Sequence, residues 1–297
     1  MTTVPEILSA VPTPFTEDGT LDLPALRSNL ERLSPLVDGV FAAGTTGEFP
    51  ALTDGERIAV IRECLAIFGP ERVVAHVGAP STQQAARLLL AAKELGAQRF
   101  AAITPYFLTA SPAGVTAYYK ALRRAAGQGS LYAYVFPEVA GTDVQPEDLP
   151  SLISESGIDG IKVSGAASAR VREYLAAAPE GFRLWSGNDA DLPSILALGG
   201  QGTVSGVSAV CPEPWAAYRD AVRANDAEAA AAAAAAAQAD IETLVPLLGP
   251  SIAALKFGIT HQGLPGGTVR MSIDAVTPGL QQDIASAIDR INAVASR

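Results

Sequence analysis

The chain has 297 residues, 48% hydrophobic and 18% charged, which allows one large globular domain or two small ones. A net charge of −10 and a pI near 4.7 weigh against nucleic acid or an anionic membrane surface as partner. With His76 and His261 as its only histidines, the chain lacks a histidine-rich metal site and argues against a histidine-based triad.

The N-terminal stretch MTTVPEILSAVPTPF has no basic start followed by an apolar core, so no signal peptide is expected. No uninterrupted apolar run of about 18 residues is seen, so no membrane span is expected either. Cys64 and Cys211 lie far apart and read as reduced, small hydrophobes of a cytoplasmic protein.

In chain order, apolar runs predict strands at 6–11, 37–44, 72–78, 99–104, 131–136, 157–164, 182–187 and 202–207. Most are continuously apolar rather than alternating, as in parallel strands covered on both sides. Helical spacing fills the gaps at 22–35, 53–68, 81–95, 111–126, 146–155, 168–178, 190–199 and 212–223. Thr53 with Glu56, and Ser81 with Gln84, fit the pattern of a helix N-terminus. Eight strands, each followed by a helix, give the count of a (β/α)8 TIM barrel over 1–224. A doubly wound sheet is the alternative, but VPTPFTEDG after the first strand is no glycine-rich phosphate turn. Residues 225–297 read as a C-terminal helical extension. Its first segment, 226–248, is alanine-rich and strongly helical by propensity, and helices follow at 250–261 and 273–295.

In a barrel of this kind chemistry sits at the C-terminal ends of the strands. Strand 2 ends in AAGTTGEFPALT, where Gly44, Thr45, Thr46 and Gly47 form a tight turn with hydroxyls and free N–H groups. Such a nest suits a carboxylate, although a plain strand-to-helix turn has the same composition. Strand 5 carries Tyr132 and Tyr134 on one side, one of which can serve as acid/base. Strand 6 carries Lys162 between Ile161 and Val163. A strand lysine can snorkel to the rim or pair with a buried carboxylate. A desolvated amine can instead add to a carbonyl and form a Schiff base, and a nearby tyrosine and anion nest favour that reading. Lys256, in a helical setting, is the rival and reads as structural. Asn188, Asp189 and Asp191 after strand 7 can bind hydroxyls or serve as first-turn helix acids. Val204 and Ser205 end strand 8 and are expected to contact the substrate. His76 on strand 3 reads as a satisfied barrel residue.

The order of these segments is GTTGE (44–48), TPY (104–106), Y-x-x-P…G (134–141) and G-x-K-x-S-G (160–165). Together they resemble the pyruvate-dependent class I aldolases that include dihydrodipicolinate synthase and N-acetylneuraminate lyase. The likeness runs through the whole chain, helical tail included. It implies that Lys162 forms the Schiff base with a 2-oxo acid and that Tyr134, three residues before Pro137, relays protons. It further implies that Thr45, Thr46 and the neighbouring amides hold the carboxylate, that no cofactor or metal is needed, and that the protein is a homotetramer built from dimers.

Two residues depart from the dihydrodipicolinate synthases that the chain resembles. Val139 stands where those enzymes carry an arginine that grips the carboxylate of aspartate semialdehyde. Phe107 stands where they carry a second tyrosine, contributed across the dimer. Losing the guanidinium removes a bidentate carboxylate partner, and Glu138 beside it repels an anionic aldehyde. The expected reaction is therefore aldol cleavage or formation between pyruvate and a neutral polyhydroxy aldehyde, on a 2-oxo-3-deoxy sugar acid. Asn188, Asp189 and Ser205 are the expected hydroxyl readers. Competing readings are a dehydratase of a 4-deoxy-5-oxo-glucarate-type acid, a dihydrodipicolinate synthase, and a non-catalytic 2-oxo acid sensor.

Overall fold

Short apolar runs rich in valine, isoleucine and alanine form eight parallel strands in a computed structural model that describes residues 4–224, 227–249 and 251–295. The strands are β1 (Glu6–Ala10), β2 (Gly39–Ala42), β3 (Val73–His76), β4 (Arg99–Ile103), β5 (Ser130–Val135), β6 (Gly160–Val163), β7 (Arg183–Ser186) and β8 (Gly202–Ser205). Each pairs with the next, and β8 pairs with β1, so the sheet closes into a barrel. Side chains alternate between two cores, as the period of a strand requires. Leu8, Phe41, Val74, Ile103, Tyr134, Trp185 and Val204 fill the lumen. Ile7, Val40, Ala133 and Ile161 pack outward beneath the helices.

The helices are α1 (Leu23–Leu33), α2 (Asp54–Phe68), α3 (Thr82–Glu94), α4 (Pro112–Ala126), α5 (Pro137–Ala140) and α6 (Leu149–Ser156). They continue with α7 (Val171–Ala177), α8 (Leu192–Ala197), α9 (Glu213–Arg223), α10 (Ala227–Leu248), α11 (Ile252–His261) and α12 (Pro278–Ala295). Thr53 forms the capping box anticipated with Glu56, and the Ser81 hydroxyl accepts from the Gln84 amide. The one-turn α5 was not foreseen. The last helix begins at Pro278 rather than at 273, because proline is favoured in a first turn and Thr277 caps it, its hydroxyl accepting from Leu280 and its carbonyl from Gln281.

The N-terminal end of the barrel is plugged. Arg99 donates to Glu6 at 2.8 Å, and the Trp185 indole donates to the other Glu6 oxygen at 3.0 Å. The C-terminal end is open, which is where the strand-end residues gather.

The boundary expected between barrel and extension falls at residues 225 and 226, outside the described residues. The tail shares the barrel's outer core: Ala237, Ile241, Leu244 and Leu248, at helical spacing on α10, join the same cluster as Ile7 and Val40. Ile241, Leu244 and Leu248 are fully buried, each contributing about 1.5–3 kcal/mol. Among the described residues one helix, Glu228–Leu248, is long and apolar enough to cross a membrane by length and composition, with a mean hydropathy of 1.2. Gln238, Asp240 and Glu242 interrupt this alanine-carried stretch, so it is not an unbroken apolar run of the kind the sequence lacks.

Candidate active site

β6 delivers Lys162 to the lumen, because register places it opposite Tyr134 of β5 and that face alternates inward. Lys162 is 7% exposed, and its Nζ lies 3.7 Å from the centre of the Tyr134 ring and 5.5 Å from that of Phe41. Among the described residues no carboxylate ion-pairs with it. The amine thus faces aromatic carbon and a cleft, an environment that leaves its lone pair free for a carbonyl once deprotonated.

The Tyr134 hydroxyl lies 3.2 Å from Thr45 Oγ1, so the phenol of β5 and the turn after β2 share a hydrogen bond. Phe41 meets the Tyr134 ring edge-on at 5.9 Å and fixes its orientation. Thr45 and Thr46 are half-buried and line the cleft. Gly44 and Gly47 lie beneath them and shape the turn rather than line it. A Cβ on Gly44 would come within 2.8 Å of the Phe41 ring, which is why a side chain is not tolerated there.

The cleft is about 730 Å³, room enough for a small acid and an aldehyde. Lys162, Tyr134, Thr45, Thr46, Asp189 and Val204 line it, as the sequence anticipated. Ser164, Phe136 and Val207 line it as well, and so do tail residues Ser251, Ile252, Leu255, Ser272, Ile273 and Asp274. None of these was singled out in the sequence. Ser164 had a signal, since it is the serine of the G-x-K-x-S-G segment; the tail residues had none.

Three anticipated hydroxyl readers are engaged elsewhere. Asp189 is buried, and its carboxylate accepts from Thr203 Oγ1 at 2.5 Å, Ser205 Oγ at 2.6 Å and the Trp215 indole at 3.3 Å. Thr203 and Ser205 flank the inward-facing Val204, so alternation turns them to the outer face of β8. Burial pushes the Asp189 carboxyl up to about 6, against those three donors and the attraction of Lys162. Asn188 donates from Nδ2 to Asp191 at 2.5 Å and from its backbone to Ser186 Oγ, apart from the cleft lining.

Glu48, which closes the GTTGE segment, is fully buried at a positive φ of 56°. It pairs with Lys256 at 2.6 Å and accepts the backbone N–H groups of Arg270 and Met271 at 2.8 and 2.7 Å. The rival lysine is therefore held in an ion pair. Burial lowers the pKa of Lys256, while Glu48 opposes the shift. Arg270 in turn bonds both oxygens of Glu56 and holds that carboxyl down at about 2.

His76 is satisfied, as anticipated. Its Nε2 accepts from the Ile103 amide and its Nδ1 lies 2.9 Å from the Ala43 carbonyl, which assigns the proton to Nδ1. Burial keeps the ring neutral. At the mouth, Glu138 accepts from the Ala166 amide at 2.7 Å, and Val139 is half-exposed in the position of the missing arginine. Gly165 has a φ of 58°, and a Cβ on it would strike Glu138 at 2.3 Å. Phe107 has a φ of 77° and is 91% exposed.

The chain is similar to known proteins over nearly its whole length. The profile of the Dihydrodipicolinate synthetase family matches residues 3–291. A 4-hydroxy-tetrahydrodipicolinate synthase of Maridesulfovibrio salexigens is 35% identical over 225 residues, 75% of this chain and 76% of its own. One from Moorella thermoacetica is 31% identical over 288 residues, 95% of this chain and 96% of its own. Among solved structures, the 4-hydroxy-tetrahydrodipicolinate synthase of Methylacidiphilum fumariolicum SolV superposes with a TM-score of 0.87 at 25% identity, covering 98% of this chain and 96% of its own. With the barrel, the lysine on β6 and a match over nearly its full length, the chain belongs to the dihydrodipicolinate synthetase family, whose members are Schiff-base class I aldolases and lyases.

Proposed function

We propose that this enzyme joins pyruvate to a neutral hydroxyaldehyde, or cleaves the resulting 2-oxo-3-deoxy sugar acid, through an imine on Lys162. The observation that carries the reading is the juxtaposition of Lys162, Tyr134 and Thr45 in one cleft. The amine attacks the C2 carbonyl, and Tyr134 protonates the departing hydroxyl so that water leaves and an iminium forms. The Tyr134 phenolate left by that step takes up a C3 proton, which gives the enamine with the iminium nitrogen as electron sink and restores the phenol. The enamine C3 then attacks the aldehyde carbonyl, and the new alkoxide takes its proton from Tyr134. Water hydrolyses the imine and frees the lysine; cleavage runs the same steps backwards. The oxo acid's carboxylate rests on the turn at Thr45 and Thr46.

The choice of a neutral aldehyde rests on charge. Lys162, Asp189 and Asp274 are the charged residues lining the cleft, and the one cation among them is the nucleophile. The names of the relatives favour a second reading, condensation of pyruvate with aspartate semialdehyde. Val139 speaks against it, because among the described residues no guanidinium lines the cleft to meet that substrate's carboxylate.

The chain is proposed to work in the cytoplasm as a homotetramer of dimers. Exposed Phe107 and Leu108 offer such an association an apolar contact. Product analysis after incubation with pyruvate and either D-glyceraldehyde or aspartate semialdehyde tests the substrate. At least tenfold higher kcat/KM for glyceraldehyde is expected; the reverse preference restores the synthase reading. Loss of water without carbon–carbon cleavage identifies a dehydratase, and imine formation without turnover a sensor.

A further inference from the structure

The segment after Arg270 crosses from the tail to the mouth of the barrel. Its start is clamped: Glu48 accepts the Arg270 and Met271 amides, and the Arg270 guanidinium bonds the Glu56 carboxylate. The next three residues, Ser272, Ile273 and Asp274, are exposed and line the cleft that holds Lys162. No hydrogen bond or ion pair engages the side chains of Ser272 or Asp274 among the described residues. An oxygen-rich wall thus stands over the cleft with its acceptors free, while the readers expected on β7 and β8 are engaged with one another.

We propose that Asp274 is the specificity-determining residue for the aldehyde half of the substrate, accepting a hydroxyl and excluding a second anionic group. This rests on the imine reading of Lys162 given above.

The charges around the cleft decide the sign. Asp189 lines the cleft, but its carboxylate is enclosed by three donors, so it offers the ligand little. Lys162, once an iminium, is balanced by the oxo acid's own carboxylate. The N-terminus of α11, where Ser251 and Ile252 meet the cleft, contributes about half a positive charge. Asp274 contributes a full negative charge and Glu138 lies at the rim, so the aldehyde end is net acidic. A carboxylate or phosphate there meets repulsion, and a hydroxyl finds an acceptor in Asp274 and a donor in Ser272. Glu48 gives the arrangement its geometry: the same buried carboxylate follows directly on the turn of Thr45 and Thr46 and anchors the segment that carries Asp274.

Borohydride trapping of the imine reads this without requiring turnover. The half-saturating concentration for adduct formation is measured with pyruvate, with 2-oxo-3-deoxygluconate and with 2-oxoadipate. In Asp274→Ala the ratio of the 2-oxo-3-deoxygluconate value to the pyruvate value rises about tenfold. In Asp274→Arg the value for 2-oxoadipate, whose tail ends in a second carboxylate, falls about tenfold relative to pyruvate. If the wild type traps pyruvate but the ratios stay within twofold in both variants, the role of Asp274 is refuted while the imine stands. If all three acids shift in parallel, Asp274 is only structural. If the wild type traps none of them, the imine reading fails and this inference falls with it.

Discussion

Lys162 and Tyr134 are register partners on β6 and β5, and the lysine Nζ sits 3.7 Å from the centre of the tyrosine ring. The ring face stabilises the ammonium, while the hydroxyl, held by Thr45 at 3.2 Å, points toward the turn that follows β2. One side chain therefore does two separable things. Tyr134→Phe keeps the ring and removes the proton, so kcat is expected to fall about 10²–10⁴-fold with the pyruvate KM changed far less. Thr45→Val is expected to follow the same pattern more weakly. A raised pyruvate KM with kcat unchanged for Tyr134→Phe would place the tyrosine in binding alone. Steady-state kinetics at saturating aldehyde make the distinction.

Asp189 links the site to stability through pH. Its carboxyl is raised from 3.8 to about 6 by burial, so the folded state holds a proton that the unfolded state has released. The contribution is present in full below about pH 4 and is lost as pH rises through about 6. Two units correspond to about 3 kcal/mol. Asp189→Asn removes this term, so the difference in unfolding free energy between wild type and variant should change between pH 4 and 6.5 and be flat above. A difference independent of pH across that range would show that Asp189 is ionised throughout.

Glu48 and Lys256 form a buried pair, 0% and 2% exposed. Removing one partner leaves the other charge buried without its counter-ion, so Glu48→Ala or Lys256→Met is expected to cost about 3–5 kcal/mol by urea unfolding. The double variant Glu48→Met, Lys256→Met is expected to cost less than the two singles added together. Strict additivity would mean that the pair is not coupled.

Val139→Arg restores a cation at the mouth. It is expected to raise kcat/KM for aspartate semialdehyde about tenfold, equivalent to one charge-assisted hydrogen bond, and to lower it for glyceraldehyde. Unchanged selectivity would place this position outside the aldehyde's reach.

Much of this was legible in the sequence because local rules sufficed. The apolar runs marked the strands, Thr53 and Glu56 marked a helix start, and strand ends pointed to Thr45, Tyr134 and Lys162. What failed to show was long-range. Glu48 and Lys256 are 208 residues apart, and nothing local indicates that they meet. The same holds for Ser272 and Asp274, which reach the cleft only because Glu48 and Glu56 anchor Arg270. Val204 and Ser205 both end β8, but neighbours on a strand face opposite ways, so their side chains cannot both reach the lumen. The inward one is Val204, and Ser205 joins Asp189 in the outer layer.

The central claim is that Lys162 is the nucleophile. Incubation with pyruvate and borohydride, followed by peptide mapping by mass, tests it most directly. The account predicts a reduced adduct on Lys162 that is absent without pyruvate and absent in Lys162→Ala. An adduct on Lys256, or none on the wild type, would contradict it.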